Sequence, residues 1–184
     1  MLITVLDLER EPVVFEHLLF EPGAIDYGPE LAQVSPLSVS GRADLIPEHR
    51  GHRDVVEDIR LQATWSDDFE VACARCLEPV RSALQGRFDL LFRPLGADAG
   101  SPERSISADE AEISYYQESG LLLEDVLREQ VLLSLPTRTL CREDCKGLCP
   151  RCGCNLNSET CACDPAMVDP RWSALSDLAS RIKT

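Results

Sequence analysis

The 184-residue chain has no apolar run near the ~20 residues that a membrane-spanning helix needs. Its first residues, MLITVLDLEREP, show no basic leader, long apolar stretch or small-residue cleavage site, so a secretory signal is not expected. No Gly-rich phosphate loop occurs, and GxSxG and HExxH patterns are absent. Histidine is scarce, with only His17, His49 and His52. His49 and His52 share the charged segment EHRGHRD, which suits a solvated turn better than a metal pair. There is no internal repeat of solenoid period. Gly and Pro total only 22 residues, which argues against a low-complexity chain. These absences leave a soluble, cytoplasmic protein without a recognisable catalytic motif.

Hydrophobic residues make up 44% of the chain, enough to bury a core. The formal net charge is -14 and is unevenly placed. Residues 1–136 carry 26 acids and 11 bases, whereas residues 137–184 carry 6 and 7. An acidic body repels phosphate backbones and suits a basic protein partner. We therefore expect two parts, an acidic mainly β body over 1–136 and a cysteine-rich tail over 137–184.

Alternating runs predict strands at Pro36–Ile46, Asp54–Trp65, Phe69–Cys76 and Val80–Pro94, the last three forming an antiparallel meander. Ser66-Asp67-Asp68 looks like a hairpin turn between the second and third runs. Leu95–Glu112 lacks apolar periodicity and is expected to be a mobile loop, and EISYYQ one more strand. A long core helix is expected at about Leu121–Leu133, with Leu122, Leu123, Val126, Leu127, Val131 and Leu133 apolar. Glu124, Asp125, Arg128 and Glu129 mark its wet face, and Pro136 stops it. A short terminal helix is expected from near Pro170. The expected class is therefore α+β, with a zinc-binding segment between the core helix and the terminal one.

Nine cysteines in a chain with no secretory signal point to metal or redox chemistry rather than disulfides. CPRCG has the two-residue spacing and trailing glycine of a zinc knuckle. One tetrahedral site is expected from Cys149, Cys152, Cys161 and Cys163, with Cys154 able to replace either of the last two. Cys73 and Cys76, with Cys141 and Cys145, leave two short-spaced pairs, enough for a second site that would pin the tail to the body. The alternatives for Cys73 and Cys76 are two buried small hydrophobes or a redox dithiol. Complete sets of four protein ligands leave no open position for water or substrate, so both zincs would be structural and no enzyme is expected. Arg138, Arg142, Lys146 and Arg151 cluster around the tail cysteines as a modest candidate RNA contact.

CARCLEP, the leucine-rich run ending LLSLPTRTLC, the segment CREDCKGLCPRCGCNLN…CAC and DPRWSALSDL together resemble the YceD family, the large ribosomal RNA subunit accumulation proteins. The resemblance runs from about Val39 to Leu178 and is weak before Val39. It implies a bacterial, non-enzymatic factor needed for accumulation of large-subunit ribosomal RNA. The implied partner is a large-subunit ribosomal protein or precursor particle, with any RNA contact indirect and no small-molecule substrate or membrane involved. Family members that lack the distal knuckle keep a CxRC pair and a metal-competent pair after the helix. These match Cys73, Cys76, Cys141 and Cys145, while Cys154 falls where the family pattern does not require cysteine. Other roles for such a chain are direct RNA binding by the tail, a redox-controlled chaperone, and a metal donor.

Overall fold

The structure is a computed structural model that describes residues 1–29, 31–49, 55–97, 113–117 and 120–163. In chain order its elements are β1 (Leu2–Thr4), α1 (Val5–Leu8), β2 (Val13–Phe20), β3 (Leu31–Gln33), β4 (Leu37–His49) and β5 (Val55–Ala72). Then follow β6 (Pro79–Pro94), β7 (Ile113–Tyr116), β8 (Gly120–Leu122) and α2 (Leu123–Ser134). The main sheet has six strands in the order β2-β4-β5-β6-β7, with β3 also pairing β5. The meander expected from the three runs after Pro36–Ile46 reduces to one antiparallel pair, because the first two of those runs lie in the single strand β5; β5 also pairs antiparallel with β4, and β7 joins β6 in parallel.

The longest strand shows how this sheet is built. Along β5, Ile59, Leu61, Ala63, Trp65, Asp67 and Phe69 are buried in strict alternation, the two-residue period of a sheet with one face on the core. Phe69 meets Tyr27 edge to face, with ring centroids 5.3 Å apart. Opposite Trp65 in the β5–β6 register stands Gly86, where an added Cβ would lie 2.7 Å from the indole. Arg93, buried on β6, pairs with the equally buried Asp58 at 3.0 Å and also with Glu48. Helix α2 packs its Leu123, Val126, Leu127 and Val131 into the same core.

Three expectations need correction. The α+β class does not hold: strands dominate, and the two helices among the described residues have 4 and 12 residues. The anticipated long core helix is an ordinary one of three turns, about 18 Å long. Gly120–Leu122 pair with β1 as a strand instead, and Leu135, preceding Pro136, is forced into an extended conformation that ends α2. The hairpin at Ser66-Asp67-Asp68 is absent, because β5 runs straight through it. Asp67 occupies an inward position there, its carboxylate accepting the Ser35 hydroxyl at 2.5 Å and the Asp68 N–H at 2.6 Å.

The predicted strand in EISYYQ is present as β7. Of the expected mobile loop, Leu95–Ala97 form a turn and residues 98–112 lie outside the described residues. The terminal helix expected near Pro170 and the loop containing His52 also lie outside them.

Candidate metal centres

Strand β5 ends at Ala72, and the six residues that follow make a tight turn back into β6. Within it the Leu77 N–H donates to the Cys73 carbonyl and the Cys73 N–H to the Glu78 carbonyl, each at 2.9 Å. Residues 149–154 repeat this pattern: Gly153 N–H donates to the Cys149 carbonyl and Cys149 N–H to the Cys154 carbonyl, again at 2.9 Å. In both turns the residue after the second cysteine is left-handed, Leu77 at φ 62° and Gly153 at φ 74°. CARCLE and CPRCGC are thus two copies of one knuckle, and Cys154 stands where the first copy has Glu78.

Each knuckle meets a second pair of thiols. The sulfurs of Cys73, Cys76, Cys141 and Cys145 all lie within 4.8 Å of one another, as do those of Cys149, Cys152, Cys161 and Cys163. Individual separations are 3.9 Å for Cys73–Cys145, 3.6 Å for Cys76–Cys141, 3.5 Å for Cys152–Cys161 and 3.4 Å for Cys149–Cys161. A tetrahedron of sulfurs bound at about 2.3 Å has edges of roughly 3.8 Å. Disulfide sulfurs would be about 2.05 Å apart, and all nine cysteines are free. Both groups could therefore hold a metal ion.

Backbone amides already favour thiolates at the two knuckles. N–H groups of Cys76, Cys141 and Arg75 directed at Cys73 lower its thiol pKa to about 6. Those of Cys152 and Arg151 do the same for Cys149, also to about 6. Their neighbours are driven the other way. Desolvation and the adjoining sulfurs push Cys141 up to about 12, and the Cys161 sulfur, with Cys152 behind it, pushes Cys163 to about 12. Four thiolates cannot share so small a space unless a cation offsets their charge, and a bound dication would reverse this repulsion. The donor set thus fits a soft or borderline dication such as zinc, which all eight thiolates would hold as two closed four-sulfur shells.

The two groups differ in surroundings. Cys73, Cys76 and Cys145 are buried against Val80, Leu140 and Leu148, with Cys141 exposed. In the distal group only Cys149 is buried. Cys154 remains outside both quartets, its thiol pushed up to about 12 first by the Cys152 sulfur.

Several residues that the cysteine spacing did not single out hold the groups in place. The Arg75 guanidinium donates to the carbonyls of Cys145 at 2.7 Å and Glu143 at 3.1 Å, and the Arg75 carbonyl accepts the Leu148 N–H at 3.0 Å. Gly147, at φ 76°, passes so close that a Cβ would lie 3.0 Å from that carbonyl. Asn157 donates to the Cys145 sulfur at 3.3 Å and accepts from the Lys146 N–H at 2.8 Å, tying the distal segment to the body group. Burial raises the Cys145 thiol, but the Asn157 amide and the Gly147 N–H outweigh it and leave the pKa lowered.

Arg138, Arg142, Lys146 and Arg151 are all exposed. Arg142 is engaged by Asn157 at 2.8 Å and lies 3.4 Å from Asp144, so acids break up the basic cluster.

The family described as large ribosomal RNA subunit accumulation protein YceD matches residues 61–179, a stretch containing both quartets. The chain is similar to uncharacterized proteins of Mycobacterium tuberculosis and Mycobacterium bovis, each 37% identical over 124 residues. Those alignments cover 67% of this chain and 57% of each relative. An uncharacterized protein of Mycobacterium leprae is 29% identical over 125 residues, or 67% of the chain and 54% of the relative. The chain thus spans less than two thirds of the length of these curated relatives. No solved structure matches.

Proposed function

Since the chain belongs to the YceD family, we propose that it is a non-enzymatic factor supporting the accumulation of large-subunit ribosomal RNA, with one structural zinc in each cysteine quartet. The observation that carries this reading is the pair of quartets inside the stretch the family matches. Each offers four sulfurs at tetrahedral spacing, leaving no position for a reacting water. The ligands are Cys73, Cys76, Cys141 and Cys145 in the body group, and Cys149, Cys152, Cys161 and Cys163 in the distal one.

The body over 1–136, with 26 acids against 11 bases, suits a basic large-subunit protein or a precursor particle that displays one. Contact with RNA is then indirect. The four tail bases stand among acids, and each filled four-thiolate site carries a net charge of about -2, which disfavours phosphate. No helix of the described residues is long and apolar enough to cross a membrane. A cytoplasmic setting fits the free thiols, which a reducing compartment preserves.

The test joins the metal to the phenotype. Elemental mass spectrometry of the reduced, untagged protein should find two zinc equivalents per chain, and one in Cys73→Ser. Deleting the gene should lower the ratio of large- to small-subunit ribosomal RNA, with wild-type but not Cys73→Ser restoring it. An unchanged ratio in the deletion strain would sink the reading. A second reading, a thiol switch, draws on the exposed Cys152 and the half-buried Cys154, Cys161 and Cys163. It requires peroxide to release one zinc and change partner binding.

A further inference from the structure

Helix α2 buries one face and leaves another uncovered among the described residues. Along the outer stripe Asp125, Glu129 and Leu133 follow one another up the helix, with Leu122, the last residue of β8, at its N-cap. Leu133 is 71% exposed and Leu122 42%. Leu2 faces Leu122 across the β1–β8 ladder and is 56% exposed. Residues opposite one another in an antiparallel pair share a face, so these two leucines form one apolar spot. Tyr115, half exposed, joins it, and the groove they line continues along Asp125 and Glu129 to Leu132 and Leu133.

The carboxylates midway along the groove are exposed. Asp125 and Glu129 stand four residues apart, where like charges repel on a helix. Neither has a hydrogen bond or ion pair among the described residues. The nearest cation on the helix, Arg128, points its Nε at the Asp26 carbonyl, 2.6 Å away. The result is two acids between two apolar ends, in a chain of net charge -14.

We propose that this stripe of α2 docks a protein segment whose lysines or arginines are flanked by apolar side chains. The inference rests on the reading that the partner is a basic protein, and it locates where that partner binds. Bases of the segment would sit on Asp125 and Glu129, while its apolar residues cover Leu2, Leu122 and Leu133. RNA fits poorly, since the carboxylates repel phosphate and the leucines offer nothing to a sugar–phosphate backbone.

The experiment uses the full chain with a photo-reactive phenylalanine analogue in place of Leu133, and, as control, of Val14 on the far edge strand β2. Each is illuminated with the proteins extracted from purified large ribosomal subunits, then with ribosomal RNA. The expected result is an adduct at position 133, absent at position 14, with a Lys/Arg-rich segment of one ribosomal protein. The double variant Asp125→Lys/Glu129→Lys should bind that protein about tenfold or more weakly while melting as the wild type does. Should it misfold, Asp125→Asn/Glu129→Gln keeps the shape and should weaken binding by a smaller factor. An adduct with RNA, or with residues 164–184 of the same chain, overturns the proposal. So does wild-type affinity in both charge variants, which leaves the basic partner standing but moves its site. No binding of any large-subunit protein by the wild type would instead overturn the basic-partner reading itself.

Discussion

At the scale of single residues, Leu77 is the instructive one. A branched, non-glycine residue in the left-handed region costs about 1–2 kcal/mol, and Leu77 is 65% exposed, so little burial offsets that cost. Leu77→Gly should raise the stability of the protein by about 1 kcal/mol, read as a higher urea midpoint with metal content unchanged. A lower midpoint would mean that the leucine side chain packs in a way its exposure does not suggest. The same position explains what was visible beforehand. The glycine of CPRCG announces the distal knuckle, because a turn needing positive φ usually takes glycine. CARCLE conceals the identical turn behind a leucine. Asn157 could not be singled out, since an amide directed at a sulfur twelve residues away follows no periodicity. Cys154 stands outside the distal quartet, at the position that Glu78 takes in the first turn.

Among the elements, the sheet was legible where alternation was clean and misread where a polar residue faced inward. Ser66-Asp67-Asp68 looks like a turn by composition, yet Asp67 keeps the inward position between Trp65 and Phe69 because Ser35 satisfies one of its oxygens. Periodicity found the apolar face of α2 but could not find its start, since Gly120–Leu122 owe their strand to β1, more than a hundred residues away. Parallel pairing of β6 with β7 has no local signal either. The β5–β6 pair provides a direct test of packing. Gly86→Ala puts a methyl group 2.7 Å from the Trp65 ring, so the indole must shift or the strands must part. The expected cost is about 1–3 kcal/mol, with an altered tryptophan emission spectrum. An unchanged spectrum and midpoint would show that the strands yield freely at this point.

For the molecule as a whole, the two metal groups should matter unequally. The body group, three of its four cysteines buried, joins segments 65 to 72 residues apart in sequence, whereas the distal group closes a short, more exposed loop. Chain-entropy estimates give about 4 kcal/mol for cross-linking a loop of that larger size. Cys73→Ser should therefore lower the melting temperature of the whole protein, while Cys149→Ser should leave the unfolding of the sheet nearly unchanged. Calorimetry with and without a chelator would check this, and equal losses in the two variants would contradict it. The wide separation in sequence of the two cysteine pairs of the body group bears on how the protein is made. Cys73 and Cys76 leave the ribosome first, and Cys141 and Cys145 follow only after β6, β7, β8 and α2 have been synthesised. The first knuckle must wait as an open half-site through that interval. On the proposed metal reading, capture of the ion would follow synthesis of the sheet and α2, and a chain stalled before residue 141 would be left unlatched.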